Sequence, residues 1–408
     1  MKIVYLHQYF KQPNENGGTR SYDLSKSFVN NGFEVEVITT TSNNFGFNGK
    51  NWRIEDLDGI KIHYLYLPYD NSFSYLKRIF VFISFLFFST IKLLSIKTDL
   101  VLATSTPLTI GIPALIKKII HRSPFIFEVR DVWPEAVVAI GAVKNKVIIK
   151  LLLKLEYLLY KYSDSIVPLS RDMKSSIISR YPEFSTKAEV VIENISEIDR
   201  FNINYQNKYL FNALGFNPKR SILYAGTFGK VNNIDYILNL AEKTFEIDPD
   251  LIFILVGEGS EKDRLIEKSK ALNIFNKNLF FIASVSKSDL PKVYSEVTCG
   301  SSFVAPIEEL WANSANKFFD SLAAGKPIVI NHFGWQSEVI IKENIGFTLN
   351  PDIEKVNILE FVNFVNDSSK IYQMGLNARD IAVKNYSLTI ASSKYLSIIN
   401  RIKNKFNV

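Results

Sequence analysis

Asn313-Ser314-Ala315-Asn316-Lys317-Phe318-Phe319-Asp320-Ser321-Leu322-Ala323-Ala324-Gly325-Lys326-Pro327 opens with residues that cap helices and closes with a glycine and a proline that end them. Asn313 or Ser314 can cap a helix whose first turn presents unpaired N–H groups. Gly325 stops it just before an apolar strand over Pro327–Asn331, which makes the stretch one helix-to-strand step of a parallel sheet. Within the helix Lys317 adds a mobile cation. Asp320 lies one turn on, near the face carrying Asn316 and Lys317, where a carboxylate can accept two hydrogen bonds from a vicinal diol such as a ribose. A plain capped helix with a solvated aspartate is the alternative, and the small residues Ala323 and Ala324, which imply close packing, weigh against it.

Outward from this stretch, short apolar runs alternate with amphipathic ones along the whole chain, the pattern of β/α units. The first half predicts strands at Lys2–Leu6, Glu34–Thr39, Ile60–Leu65, Leu100–Ala103, Phe125–Val129 and Ser165–Pro168. The second half predicts them at Ser221–Ala225, Ile252–Val256, Leu279–Ile282, Cys299–Val304 and Pro327–Asn331. The Asn- and Tyr-rich segment Ser196–Pro218 reads as a linker. The expectation is an α/β protein of two Rossmann-like, doubly wound domains facing a cleft. Residues 1–195 form the first, residues 219–386 the second, and a helix over 387–408 packs back on the first.

Length and composition agree: 408 residues, 47% apolar and 22% charged, exclude a disordered or fibrous chain. The single cysteine, Cys299, cannot form an intramolecular disulfide, so the expected setting is the reducing cytosol. Met1–Leu6 is too short an apolar run for a signal peptide. The net charge of +7 suits an anionic partner. Between Lys117 and Lys161 nine basic residues face four acids, and Lys394, Arg401, Lys403 and Lys405 form an acid-free tail. No zinc-finger spacing or arginine-rich arm accompanies them, so nucleic acid is not the expected partner.

Ligands of such sheets sit beyond the carboxyl ends of the strands, where glycine turns lead into helix N-termini. Three loops fit: Gly17-Gly18-Thr19-Arg20 ahead of a helix over 21–29, Gly226-Thr227-Phe228-Gly229-Lys230 after Ser221–Ala225, and Gly257-Glu258-Gly259 after Ile252–Val256. Each alone is a weak signal. Together they point to an extended phosphorylated ligand, with Lys230 as a further cation. Asp248-Pro249-Asp250 precedes its strand, so it is a helix-to-strand turn and no metal site is expected there. His63, His121 and His332 show no ligand spacing, and no zinc or other metal is expected.

The opening stretch resembles the donor-site signature of the group 1 retaining glycosyltransferases, family 4, in the form N-S-x-N-K-F-F-[ED]-x-L-A-A-G-K-P. Tyr5-Leu6-His7-Gln8-Tyr9-Phe10, Gly17-Gly18-Thr19-Arg20 and Phe127-Glu128-Val129-Arg130-Asp131-Val132-Trp133-Pro134-Glu135 resemble the N-acetylfucosamine transferase-like subgroup that builds bacterial O-antigen and capsule. The resemblance implies a GT-B fold, with the acceptor on the first domain, the nucleotide-sugar donor on the second and no obligatory metal or cofactor. It implies that Asp320 is the second acid of an E-x7-E motif and holds the ribose, and that Val285 packs the uracil. The first acid of that motif falls on Ala312, with Glu308 and Glu309 at the wrong spacing to replace it. Thr227 stands where the family has an arginine, with Lys230 and Lys317 the nearest cations.

Glycosyl transfer expels a nucleoside diphosphate and takes a proton from an acceptor hydroxyl, so it needs donors at the leaving group and a carboxylate near the nucleophile. Asp131 or Glu135, beside Arg130, could be that carboxylate; an Arg130–Asp131 salt bridge bracing the loop around Trp133-Pro134 is the alternative. His7, ending the first strand, could reach the same place or be structural. The expected donor set is Gly17, Gly18, Gly226, Thr227, Lys230, Gly257, Val285, Asn313, Ser314, Ala315, Asn316, Lys317 and Asp320. From Ile79 to Phe88 only Ser84 interrupts an apolar run, about half of the roughly 20 residues a bilayer span needs. Such a helix is either buried or docked in a membrane surface. The expected protein is a cytoplasmic enzyme, peripheral at the inner membrane face, that moves a sugar from a UDP-sugar to a lipid-linked glycan. A UDP-sugar 2-epimerase and a non-catalytic nucleotide-sugar-binding subunit are the rival readings.

Overall fold

The computed structural model describes every residue except 50, 69–72, 74, 106, 203–207 and 407–408, and only the backbone of 75, 76, 78, 79 and 211. The chain forms two compact units. One comprises Met1–Gln12, Thr19–Glu193 and Thr389–Val408, the other Pro13–Gly18 and Asn194–Leu388. The expected first domain, 1–195, thus loses Pro13–Gly18 to the second unit. There the carbonyls of Pro13 and Glu15 accept from the amides of Ser288 and Lys287, each at 3.0 Å, and Asn16 Nδ2 donates to Ser284 Oγ at 2.9 Å. Partners some 270 residues away leave no trace in local sequence. Residues 203–207 of the expected linker lie outside the described residues, and Tyr209–Leu214 within it is helical.

The first unit is built on strands β1 (Lys2–Leu6), β2 (Glu34–Thr41), β3 (Trp52–Leu57), β4 (Ile60–Tyr66), β5 (Leu100–Thr104), β6 (Phe125–Val129) and β7 (Ser165–Pro168), in sheet order β3-β4-β2-β1-β5-β6-β7. Helices cover both faces, so β1, β5 and β6 are almost wholly buried and nearly all apolar. Strand β3, absent from the sequence expectation, pairs antiparallel with β4 at the sheet's edge. Its charged residues and partial exposure hide its periodicity. The missed signal is Asp58-Gly59: φ of +51° and +80° there gives the two-residue hairpin turn that Asp-Gly favours.

In the second unit β8 (Arg220–Ala225), β9 (Leu251–Val256), β10 (Leu279–Ile282), β11 (Cys299–Ser302), β12 (Ile328–Ile330) and β13 (Gly346–Thr348) form a parallel sheet in the order β10-β9-β8-β11-β12-β13. Both β11 and β12 are shorter than expected. Beyond Ser302 and Ile330 the Asn331 side chain replaces the ladder, accepting from the Val304 amide and donating to its carbonyl, each at 2.9 Å. Strand β13 has three residues and was too short to read.

The apolar run near residue 80 is part of a longer helix, Tyr75–Ser95. Val81, Phe85 and Leu93 pack inward, while Phe80, Ile83, Phe87 and Ile91 are exposed. The helix is therefore neither fully buried nor free of the domain; it docks by one face and shows an apolar stripe on the other. Among the described residues no helix is long and apolar enough to cross a membrane.

A buried ion pair ties the first unit together. Glu128 on β6 is wholly buried and accepts from Arg20 Nε and Nη2 at 3.2 Å, from Thr104 Oγ1 at 2.6 Å and from the Tyr395 hydroxyl. Arg20 also donates to the carbonyls of Ile192, at 3.0 Å, and Glu193. Burial alone would raise the Glu128 pKa; Arg20 first, then Arg130, Thr104 and Tyr395, outweigh it and hold it below the ordinary carboxylate value. Glu128→Ala strands a buried guanidinium, so it should lower unfolding free energy by about 3–5 kcal/mol in urea titration, whereas Arg20→Met/Glu128→Leu should recover much of that loss. Equal losses in the single and double variants would show that the pairing is not what holds these segments.

Candidate functional site

In the second sheet the connections after β8 and β11, which are neighbours, leave toward opposite sides, so a crevice opens between them at the carboxyl edge. Two segments meet there: the loop 226–230 after β8, and the helix Asn316–Ala323 that follows β11. Gly257, after β9, packs so closely on the Gly226 carbonyl that a Cβ at 257 would overlap it. Gly18 abuts the Asn316 side-chain amide. The three glycine loops expected from sequence therefore gather at one edge of this unit.

Lys317 is the cation at their centre. Its Nζ lies 5.0 Å from the centre of the Tyr224 ring and donates to Asn232 Oδ1 at 3.2 Å, directly beside Gly226. Tyr224 in turn donates to the Thr227 carbonyl at 2.8 Å, shaping the loop. Lys317 is not the mobile cation expected: it is half-buried and clamped. Burial lowers its pKa to about 8 against the opposing pull of Asp320.

The helix start also differs from expectation. Ala315 occupies the cap position with extended backbone and no side chain caps the helix. Ser314 is occupied elsewhere, its Oγ accepting from the Asn194 amide at 3.1 Å, while Asn313 Oδ1 accepts from the Ala315 amide at 3.1 Å. The Asn313 carbonyl accepts from Trp335 Nε1 at 2.9 Å and Gln336 Nε2 at 3.0 Å, which anchors the approach to the helix. With the side-chain caps diverted, the first-turn amides and the positive end of the helix dipole are left for an anion beside Lys317.

Asp320 is buried rather than solvated, and its Oδ1 accepts from Lys287 Nζ at 2.5 Å. Lys287 is buried as well and lies 3.6 Å from Glu197. Sequence reasoning missed Lys287, because nothing local marks a lysine 33 residues away as the partner of Asp320. Val285, two residues before it, is half-buried against the apolar cluster of Phe201, Val293 and Tyr294. Thr227 and Lys230 are exposed on the loop, and Glu308 and Glu309 sit in a short 3-10 turn ahead of half-buried Ala312.

In the first unit His7 follows β1 and Arg130 follows β6. His7 Nδ1 is 2.6 Å from Ser21 Oγ. Burial, then Arg130, pushes the His7 pKa down to about 3 despite Glu128, so the ring is neutral at physiological pH and cannot act as a general acid. The Arg130 amide donates to Ser105 Oγ at 2.9 Å, which sets the turn into the half-buried Asp131. Glu135 is committed elsewhere: Arg180 Nε lies 3.0 Å from Oε1 and Ser176 Oγ donates to Oε2 at 2.9 Å. Glu135 thus ties its short helix to Arg180 and Ser176.

Residues 207–379, most of the second unit, match the family model for glycosyl transferases group 1. The spore coat protein SA of Bacillus subtilis (strain 168) is 24% identical over 254 residues, 58% of this chain; the chain spans 64% of that relative's length. The fold is similar over nearly the whole chain to sucrose-phosphate synthase from Thermosynechococcus elongatus, with a TM-score of 0.77, 13% identity and 99% of each chain covered. Anabaena Alr3699/HepE, solved in complex with UDP and glucose, gives a TM-score of 0.71 at 15% identity over 98% of this chain and 100% of the other. The second unit thus carries the similarity to the glycosyl transferases group 1, and the two units together have the GT-B fold.

Proposed function

We propose that the protein transfers a sugar, an N-acetylated or deoxy hexose, from a UDP-sugar to a lipid-linked glycan in bacterial surface polysaccharide biosynthesis, with retention of configuration and without a metal. The observation that carries this reading is the half-buried Lys317 at an uncapped helix start, next to glycine loops that admit a close backbone approach. These groups are aimed where negative charge grows as UDP departs. Asp320, steadied by Lys287, holds the ribose, Val285 packs the uracil, and Lys230 closes over the phosphates. In the first unit Asp131 takes the acceptor proton, with Arg130 and the neutral His7 orienting the hydroxyl. UDP bound to Anabaena Alr3699/HepE supports the choice of nucleotide. Ala312, in place of an acid, favours a second reading, a subunit that binds the donor without turning it over.

Radiolabelled UDP-sugars presented with a lipid-pyrophosphate acceptor separate the readings. Transfer that survives EDTA is expected with one sugar of the panel; an epimerised sugar without transfer identifies a 2-epimerase, and binding without turnover a non-catalytic subunit. Asp320→Ala should weaken UDP binding by about 1.5–3 kcal/mol, with the fold intact because Glu197 remains beside Lys287. Unchanged affinity in calorimetry would remove Asp320 from the nucleotide.

Lys317 is charged below its pKa of about 8 and neutral above it, so UDP affinity should fall as pH rises through that value. In Lys317→Arg the fall should vanish, since a guanidinium keeps its proton. A native affinity that is flat across this range would exclude Lys317 from the phosphate site.

The lipid-linked acceptor calls for contact with the inner leaflet, through Phe80, Ile83, Phe87 and Ile91 on the helix Tyr75–Ser95 and the flanking basic residues. Native protein is expected to float with anionic liposomes at low salt and to release as salt rises, and Ile83→Ser/Phe87→Ser to float poorly. Indifference of native protein to such vesicles would make the stripe an ordinary helix surface.

A further inference from the structure

Apart from Arg130, the basic excess of the sequence has no part in the site described above, yet much of it converges. In the first unit a cavity of about 460 Å³ is lined by Lys118 and Lys161 from the basic stretch, Arg401 and Lys405 from the tail, Lys187 and Thr186, with Asp164 the only acid among the described residues that line it. It lies at the start of β7, at the amino edge of the sheet, while Arg130 and Asp131 follow the opposite end of β6.

The charges there do not cancel. Asp164 accepts from Lys118 Nζ at 2.6 Å and from the Phe125 amide at 3.0 Å, so its capacity is largely used within the protein. Arg401 meets Glu189 at 3.2 Å. Lys187 cannot swing away: its Nζ donates to the carbonyls of Tyr160 at 3.2 Å, Lys161 at 2.5 Å and Ser163 at 2.8 Å. Among the described residues neither Lys161 nor Lys405 forms an ion pair, and both side chains are exposed. Among the described residues, five bases against two acids leave an excess of three positive charges around one concavity. Burial, then the neighbouring Lys118, with Lys405 adding and Asp164 opposing, holds the Lys187 ammonium below the usual lysine range. Like charges held this close repel unless an anion with several oxygens is shared among them.

We propose that this cavity binds a phosphate-class anion, a phosphate monoester or pyrophosphate group, through Lys161, Lys405, Arg401 and the Thr186 hydroxyl. A compact concavity of this size suits a small polyoxyanion, where a nucleic acid strand needs a continuous groove. Two sources carry this chemistry, a lipid headgroup and a soluble phosphate compound. The site stands apart from the donor reading, since every group in it belongs to the first unit.

Calorimetry with inorganic pyrophosphate, on the full native chain and on Lys161→Glu/Lys405→Glu, tests it; any binding in the second unit is common to both and cancels. The charge-reversed variant is expected to lose at least about tenfold in affinity while keeping its melting temperature, and Lys161→Arg/Lys405→Arg to retain binding. Arg401→Ala gives an independent loss should the double reversal fail to fold. Competition by vesicles containing phosphatidic acid, but not by phosphatidylglycerol vesicles of equal charge, assigns the site to a lipid headgroup; no competition from either assigns it to a soluble phosphate. Equal pyrophosphate affinity in the native, reversed and Arg401→Ala chains overturns the proposal.

Discussion

Among the described residues every strand pairing in the two sheets except β3–β4 is parallel, and that one constraint organises the rest. Parallel strands need crossover helices, so each loop that leads from a strand into a helix emerges at the same edge of its sheet. Glycine turns, helix starts and polar residues far apart in sequence are thereby delivered to one line. At the point in each sheet where the order reverses, between β1 and β5 and between β8 and β11, neighbouring loops part and leave room for a ligand. Lys317, Gly226 and Gly257 owe their proximity to this topology and not to any local attraction.

Both units place charge in their interiors, and they do so for different ends. In the first, Arg20 and Glu128 come from two of the motifs that mark the chain at sequence level, G-G-T-R and F-E-V-R-D. Their pairing bridges the helix after the glycine turn, strand β6 and the C-terminal helix. Residues within these motifs thus hold the scaffold. In the second unit Lys287 pairs with Asp320 close to the crevice at the carboxyl edge, so the carboxylate is held in one orientation. A pair of this kind adds little net stability after desolvation, but it limits the geometries that Asp320 can take.

The basic surplus follows a similar division. Lys317, Lys230 and Lys287 belong to the carboxyl edge of the second sheet. The surplus near residues 117–161 and the C-terminal tail comes together at the amino edge of the first, because the C-terminal helix returns to that unit. Two stretches separated by some 240 residues form one electrostatic feature.

The sequence by itself determined the architecture. Continuous apolar strands buried on both faces, glycine stops and helix periods are local, and they placed eleven of the thirteen strands found among the described residues; of these the edge hairpin strand, whose Asp58-Gly59 turn was legible, and the three-residue β13 escaped. It also marked the loops that reach the ligand edge and the signature around Lys317 and Asp320. What the tertiary structure alone decided was the state and partnership of those side chains. Lys317 became a clamped, depressed-pKa cation because Tyr224 and Asn232 enclose it; Asp320 became buried because Lys287 meets it; Glu135 was drawn away by Arg180; and Asn313 and Ser314 left the helix uncapped by bonding elsewhere. Each outcome depends on desolvation and on a partner remote in sequence, and these exist only once the chain has folded.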